Sequence, residues 1–462
     1  MPKILNRRSF IKASALTGIT LATSVESFSK SISTISVGNK SILKEVIRIG
    51  IIGAGLRGRS HIELLLNRKD CELVAVADPD PQAIEASNKM CREKGKSLPK
   101  QYSNGPLDYK NMLDKEKLDA VIIASPWEWH TEQAIACMRN KIFTGVEVAG
   151  AFSLDECWEL VNAYEETGTH LFFLENVCYR RDVMAVLQMV RQGLFGDLIH
   201  LEGGYQHDLR NVKFNDGKQP YGGGVEFGEK GLSEARWRTK NSLHRDGDLY
   251  PTHGVGPCMN WLDINRGNRF TSLVSMSTKS KGLHEYIVKE GGEKHPNAEL
   301  EWKLGDVVTT LIQTSGGEKV LLSLDTNLPR PYSLGFRVQG TKGIWMDVNK
   351  SLVLEGLTKA HEWTPAEEWL QKYDHPLWKN MEAKASGAGH GGMDYFLINA
   401  FVESAKRNEV PPIDVYDAAT MMAITPLSEQ SVSSGSMPVI FPDFTRGKWM
   451  NKKRDFGMSD KY

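Results

Sequence analysis

Between Ile47 and Asp78 the chain has room for essentially one kind of fold. The run Ile47-Arg-Ile-Gly-Ile-Ile-Gly-Ala-Gly-Leu-Arg-Gly58 sets three glycines in G-x-G-x-x-G spacing. An apolar stretch (Ile47, Ile49, Ile51, Ile52) precedes them, as a buried parallel strand requires. A helical pattern follows (Ile62, Leu65, Leu66), then a second strand, Leu73-Val-Ala-Val-Ala77, that ends at Asp78. Strand, glycine turn, helix, strand and acid in that order form the fingerprint of a dinucleotide-binding βαβ unit. Gly53 makes the tight turn, Gly55 lets the backbone approach a pyrophosphate, and Gly58 lets helix and strand pack closely. The helix N-terminus turns free N–H groups toward the phosphates. Asp78 lies twenty residues beyond Gly58, where a carboxylate accepts from an adenosine ribose and repels a 2′-phosphate. The expected cofactor is therefore NAD rather than NADP.

A chain of 462 residues is too long for one ordinary core, so two domains are expected. Fifty-seven Lys and Arg balance fifty-seven Asp and Glu. That balance makes no electrostatic case for nucleic acid or an anionic membrane surface. The six scattered cysteines form no C-x-x-C pair, and no His, Cys and carboxylate cluster has metal-ligand spacing, so no metal is expected. Residues 1–35 read as an export signal and the start of a linker. Asn6-Arg-Arg-Ser-Phe-Ile-Lys12 and the modestly apolar run Ala13–Val25 resemble a twin-arginine signal. That run is too short and polar to span a membrane, and the expected location is the periplasm. Because the twin-arginine route carries folded proteins and the periplasm has no free nicotinamide pool, the nucleotide should travel tightly bound.

The expected nucleotide-binding Rossmann domain covers 45–174. Its strands include Asp119–Ser125, Ile142–Val148 and His170–Leu174, and Ser153-Leu-Asp-Glu156 reads as a capping box opening a helix that stops near Gly168. From 175 to 462 the pattern changes to an α+β domain. Alternating segments Val307–Gln313, Val320–Asp325 and Tyr332–Gln339 predict a mostly antiparallel open sheet. Two long connections, Asn215–Lys230 and His284–Glu301, are read as covering a site.

A dinucleotide domain followed by such a sheet domain resembles the Gfo/Idh/MocA oxidoreductase family. In much of that family the strand matching Gly145–Val148 ends in Glu-Lys-Pro, where the lysine assists proton transfer. Here it ends Glu147-Val148-Ala149, and the lysine is missing. The chain more closely resembles glycoside hydrolase family 109, whose known activity is α-N-acetylgalactosaminidase. The matching strings are Ala77-Asp-Pro-Asp-Pro81, Ser125-Pro-Trp-Glu-Trp-His130 and Glu175-Asn-Val-Cys-Tyr-Arg-Arg-Asp182. Further on come Gly204-Tyr-Gln-His-Asp-Leu-Arg210, Gly224-Val-Glu-Phe-Gly-Glu-Lys230 and Leu249-Tyr-Pro-Thr-His-Gly-Val-Gly-Pro257. Asp263–Arg269 and Gly387-Ala-Gly-His-Gly-Gly-Met-Asp-Tyr395 complete the set.

The resemblance implies hydrolysis with retention and no net redox. Bound NAD takes a hydride from C3 of the sugar, the ketone acidifies C2–H, the C1 group leaves by elimination, water adds, and the hydride returns. NAD-dependent glycosidases stand outside the two-carboxylate mechanism. His253 is the expected catalytic base, with Tyr250 assisting. Glu175 and Tyr179 follow the last strand of the first half, facing the cleft, and are further catalytic candidates. Glu175 is open to three readings: acid/base, sugar ligand, or carboxylate opening a helix. The resemblance further implies sugar contacts from Tyr205, Arg238, Tyr250, Pro251, Thr252, His253 and Tyr332. For NAD it implies Leu56, Arg57, Asp78, Trp127, Glu128, Trp129, His130, Glu147, Val148 and Asn176, besides Gly53, Gly55 and Gly58. His390 is a weaker candidate for the site. The expected partners are a glycan or glycoside and, through the sheet domain, a homo-oligomer, with no nucleic acid and no membrane insertion. Two alternatives stand beside this reading: a net sugar dehydrogenase, and a non-catalytic protein that binds sugar and nucleotide.

Overall fold

The glycine-flanked run at the start of the fingerprint forms β1 (Ile47–Ile52), nearly every side chain of which is buried. The computed structural model describes residues 44–460 and 462; the expected export segment at 1–35 lies outside the described residues. After β1 come α1 (Leu56–Leu66), β2 (Cys71–Ala77), α2 (Pro81–Glu93), β3 (Lys100–Tyr102), α3 (Asp108–Lys115) and β4 (Ala120–Ile123). Then follow α4 (His130–Arg139), β5 (Phe143–Val146), α5 (Leu154–Thr167) and β6 (Leu171–Phe173). The six strands are all parallel, in the order β3-β2-β1-β4-β5-β6. Strand order reverses between β1 and β4. In such sheets the carboxyl ends at the reversal open the crevice where ligands bind. The predicted capping box is present: the Ser153 hydroxyl accepts from Glu156 N, the Glu156 carboxylate accepts from Ser153 N, and Gly168 closes α5 at φ 67°.

After α6 (Arg181–Arg191) the chain enters a nine-stranded sheet. Its strands are β7 (Leu198–Gln206), β8 (Phe270–Ser277), β9 (Val307–Thr314), β10 (Lys319–Asp325), β11 (Arg337–Gly340), β12 (Gly343–Met346), β13 (Ser351–Leu354), β14 (Thr364–Pro365) and β15 (Val439–Ile440). The order is β14-β13-β12-β11-β7-β10-β9-β8-β15. All pairs are antiparallel except β7 with β10. The alternating pattern at Tyr332–Gln339 becomes a shorter strand. Tyr332 lies before it, and only Ser333 bridges, to Gln206.

Helix α7 (Thr252–Trp261) packs on β7 because glycines face each other there. A Cβ on Gly254 would collide with the Gly204 backbone, and one on Gly203 with the Gly254 backbone. The long connections behave differently from expectation. Residues 282–291 form a helix whose Leu283 and Ile287 build a satellite core with Phe214 and Trp302. Neither long connection lines the cleft; Leu232–Arg238, just after the first of them, does so.

The end of the chain returns to the first sheet. Helix α8 (Pro376–Ala385) leads to α9 (Met393–Arg407), which packs where β5 carries Gly145: a Cβ there would lie 2.8 Å from the Phe401 ring. Helix α10 (Val415–Ser433) lies against β6 and α5. Among the described residues no helix is long and apolar enough to cross a membrane.

Gly58 holds α1 close to the turn, since a Cβ there would enter the Gly53 carbonyl oxygen. Replacing it with alanine should cost about 1–3 kcal/mol by overpacking and loosen the turn that faces the nucleotide. Thermal melting and NAD content of purified Gly58→Ala test this; wild-type values for both would contradict it.

Candidate active site

The crevice at the β1/β4 reversal is a cleft of about 460 Å³. One side is the fingerprint. Gly53 (φ 89°), Gly55, Leu56 and Arg57 line it, and an added Cβ on Gly55 would meet only open space. No side chain caps the N-terminus of α1, so its first N–H groups are free for a phosphate. Asp78 stands at the end of β2. Its Oδ2 accepts from Ala54 N (2.7 Å) and its Oδ1 from Asp80 N (2.8 Å). Burial pushes this carboxyl above its ordinary value, while the two backbone N–H groups oppose the shift. The open glycine, the uncapped helix start and the acid at the second strand fit a dinucleotide.

Arg57 ties this turn to the rest of the molecule. Its Nε donates to Glu147 Oε1 (2.7 Å), and its Nη1 and Nη2 donate to Asp394 on α9 (2.7 and 3.2 Å). Asn176 also donates to Asp394 (2.7 Å), and His61 pairs with Glu147 (2.7 Å). Burial alone would raise the Glu147 carboxyl, but the Arg57 guanidinium, His61 and the Val148 N–H together outweigh it and hold the group down to about 2. Burial opposes the same effect at Asp394, where His390 and Arg57 hold the carboxyl well below its usual range. Val148, in the place of the family lysine, lines the cleft as an apolar residue, and no lysine is among the described lining residues.

The opposite wall is aromatic. Tyr205 and Tyr250 pack at 4.5 Å between ring centroids, Trp127 lies 5.7 Å from Tyr250, and Trp237 meets Trp127 edge-on at 5.1 Å. Arg238 lies over both Trp127 (5.0 Å) and Tyr250 (5.1 Å) and donates to Glu234 Oε2 (2.5 Å). Burial opposes its charge, but Glu234 and the two tyrosines keep it protonated.

His253 stands at the seam. Its Nδ1 faces Glu175 Oε1 at 2.7 Å, and its Nε2 lies 3.4 Å from the Tyr250 hydroxyl. A carboxylate acceptor assigns the proton to Nδ1, so Nε2 carries the lone pair and accepts from the Tyr250 hydroxyl at the cleft. Glu175 is fully buried at the end of β6. It also accepts from Val177 N (3.0 Å), and its Oε2 has no partner among the described residues. Gly256 makes room for it, since a Cβ there would lie 2.9 Å from Glu175 Cγ. Burial, with Tyr205 beside it, pushes the Tyr250 hydroxyl well above its ordinary value, so it remains a proton donor.

The structure therefore brings together Gly53, Gly55, Leu56, Arg57, Asp78, Trp127, Trp129, His130, Glu147, Val148, Asn176, Tyr205, Arg238, Tyr250 and His253 in one cleft, with His390 at its edge. Others named from sequence sit elsewhere. Tyr179 is buried away from the cleft, its ring edge-on to Phe456 (5.1 Å), because the turn at 176–179 carries it into the core. Glu175 reaches the cleft only through His253. Gly58 lies under the turn, and Glu128 points to Lys240 (2.7 Å). Pro251 and Thr252 open α7 beneath Tyr250 and His253; Thr252 is fully buried. Tyr332 stands at the rim, against His207 (5.0 Å) and Tyr205 (6.4 Å). Sequence reasoning did not single out Asp394 or Glu234. The signal for Asp394 was an acid directly behind the Gly387–Gly392 turn.

The polypeptide before His253 is held from α10. Thr425 Oγ1 donates to Asp248 O and Asp248 N donates to Ser428 Oγ, both at 2.8 Å; Asp248 Oδ1 accepts from Tyr250 N (3.2 Å). Burial lifts the Asp248 carboxyl from 3.8 to about 7, partly offset by the Tyr250 N–H. The folded chain thus keeps a proton that the unfolded chain loses near pH 4, so stability falls as pH rises from about 4 to about 7. Asp248→Asn should remove a fall of roughly 2–4 kcal/mol over that window. Urea midpoints of the two proteins across the window test this; parallel curves would contradict it.

Two family models match the chain. The oxidoreductase family, NAD-binding Rossmann fold, matches residues 47–174, and glycosyl hydrolase 109, C-terminal domain, matches residues 179–451. A glycosyl hydrolase family 109 protein of Stenotrophomonas maltophilia is 51% identical over 421 residues, covering 90% of this chain and 93% of its own. An alpha-N-acetylgalactosaminidase of Tannerella forsythia is 49% identical over 417 residues, covering 89% of each. Among solved structures, levoglucosan dehydrogenase in complex with NADH and L-sorbose superposes with a TM-score of 0.61 at 17% identity. That match covers 86% of this chain and all of the other. The apo scyllo-inositol dehydrogenase of Lactobacillus casei gives 0.59 at 13%, covering 87% and 99%. At such identities these two share the fold.

Proposed function

The chain belongs to glycosyl hydrolase family 109 and is an NAD-dependent glycoside hydrolase, and on that premise we propose that it releases terminal α-N-acetylgalactosamine from glycans with retention. The observation that carries the reading is the Glu175–His253–Tyr250 chain opening on the cleft that holds Asp78 and the glycine turn. Gly53 to Arg57 and Asp78 would hold the phosphates and adenosine ribose, with Trp127, Trp129, His130 and Asn176 along the remaining length. Bound there, NAD would supply reversible hydride acceptance at sugar C3, with no net redox.

The remaining chemistry is proton transfer by this chain. His253 Nε2 carries the lone pair because Nδ1–H is donated to Glu175; exchanging the Tyr250 hydroxyl for the reacting hydroxyl, it takes that proton and returns it. Glu175 does not touch the sugar; it fixes the tautomer of His253 and stabilises the imidazolium that forms. The Tyr250 hydroxyl donates at the same oxygen. Arg238, pinned by Glu234 over two rings, offers N–H donors to a hydroxyl or the acetamido oxygen. Tyr205 and Tyr332 supply faces for the pyranose. Val148 in the lysine position leaves proton movement to His253.

Further parts of the reading rest on the sequence and the surface. Residues 45–174 act as the nucleotide domain and 175–462 as the substrate domain, although α9 and α10 lend their faces to the first sheet. Arg7-Arg8 and the run to Val25 support twin-arginine export to the periplasm, which suits a resident cofactor; cell fractionation reads this directly. Exposed Ile199, Met276 and Leu311 on strands of the second sheet support a homo-oligomer formed through that sheet, and sedimentation would read it as larger than a monomer.

Purified protein should carry NAD without addition and cleave a chromogenic α-N-acetylgalactosaminide with no growth of reduced-nicotinamide absorbance. Stoichiometric NADH with free sugar would instead mean a dehydrogenase. His253→Ala should lose at least about 100-fold in turnover while retaining NAD; wild-type turnover would remove His253 from the reaction.

A further inference from the structure

The charges that line the nucleotide cleft do not balance a dinucleotide. Four carboxylates (Asp78, Asp80, Glu147, Glu234) stand against three guanidiniums (Arg57, Arg236, Arg238). NAD brings two further negative charges on its pyrophosphate. The Arg57 guanidinium is committed to Glu147 and Asp394, and that of Arg238 to Glu234. From the first domain the pyrophosphate therefore meets backbone N–H groups at the uncapped start of α1. A helix N-terminus supplies about half an elementary charge, which leaves most of the dianion unmatched.

Arg236 is the remaining cation. It is exposed, lines the same cleft as Gly53, Gly55 and Asp78, and pairs with no carboxylate among the described residues. Its Nε donates to Gly231 O (3.3 Å), which leaves the terminal nitrogens for a ligand. The backbone that presents it is strained. Ser233, just before the short helix Glu234–Trp237, sits at φ 56° and ψ −129°, a conformation costly for any residue with a Cβ. Fully buried Asn215 enforces it from the preceding residue, accepting from Leu232 N (3.1 Å) and donating to Leu232 O (2.8 Å). On the other side of Arg236, Trp237 meets Trp127 edge-on. Strain of this kind is concentrated at ligand clamps, whereas a solvated surface charge needs no such support.

We propose that Arg236 is the cationic clamp of the dinucleotide: it binds the pyrophosphate from the second domain, as the start of α1 does from the first, and so keeps NAD resident. A planar guanidinium can donate to two phosphate oxygens at once. Arg238 lies two residues further on, over Trp127 and Tyr250, so the clamp and the sugar contact share one segment. The inference concerns the cofactor alone and holds whichever sugar is cleaved.

The test is exchange of bound NAD for excess labelled NAD in the purified holoenzyme. Arg236→Gln removes the charge and keeps an N–H donor, Arg236→Met removes both, and Arg236→Lys keeps the charge. Arg236→Gln and Arg236→Met should exchange at least about tenfold faster than wild type, and Arg236→Lys within about threefold of it. Added NaCl should speed exchange in the wild type and leave the two uncharged variants nearly unchanged. Competition by ADP-ribose and by adenosine locates the contact. The uncharged variants should bind ADP-ribose at least about tenfold more weakly and adenosine, which has no pyrophosphate, as the wild type does; that second result also shows a folded nucleotide domain. Wild-type exchange in the uncharged variants, or an equal loss of ADP-ribose and adenosine, would overturn the proposal.

Discussion

The hydrogen bond between Glu175 and His253 joins the two sheets at the point where chemistry is possible. Glu175 lies just beyond β6 of the first sheet, and His253 rides on α7, which packs on β7 of the second. A fully buried carboxylate is costly unless it is bonded, so the contact fixes how α7 meets the end of β6. Two glycines allow the approach: Gly254 toward β7 and Gly256 toward Glu175. The arrangement gives the imidazole one nitrogen that donates to Glu175 and one that accepts, beside a crevice that the first sheet supplies by topology alone.

A second tie stabilises the nucleotide side. Arg57 leaves the phosphate turn to reach Glu147 at the end of β5 and Asp394 on α9. Helix α9 thereby supports the turn from a residue more than three hundred positions away. His390, in the short turn before α9, pairs with Asp394, so the nucleotide turn and the sugar cleft share one anchored corner. Helix α10 does the comparable work for the catalytic run, clamping Asp248 through Thr425 and Ser428.

Much of this was legible in the sequence because it is local. The glycine spacing, the apolar strand and Asp78 form one contiguous unit, and strand ends in a doubly wound sheet converge by rule. Ser153 and Glu156 sit three residues apart and cap their helix as read. The residues that were harder to read owe their roles to long-range packing. Asp394 acquires its function only when α9 meets Arg57 and Asn176. Glu175 and Tyr179 lie four residues apart, yet the short turn between them sends one toward His253 and the other into the core against Phe456. Likewise 284–301 looked like a loop, but Leu283 and Ile287 had apolar partners in Phe214 and Trp302 that no local pattern reveals.

The central claim is that this chain hydrolyses a glycoside by moving protons and borrowing a hydride, with His253 held ready by Glu175. Hydrolysis in deuterated water tests it most directly, with the released sugar read by mass spectrometry and proton NMR. The account predicts one deuterium at C2 and none at C3, with Glu175→Gln slowing label uptake and hydrolysis in step. A released sugar carrying no deuterium at C2 would contradict it.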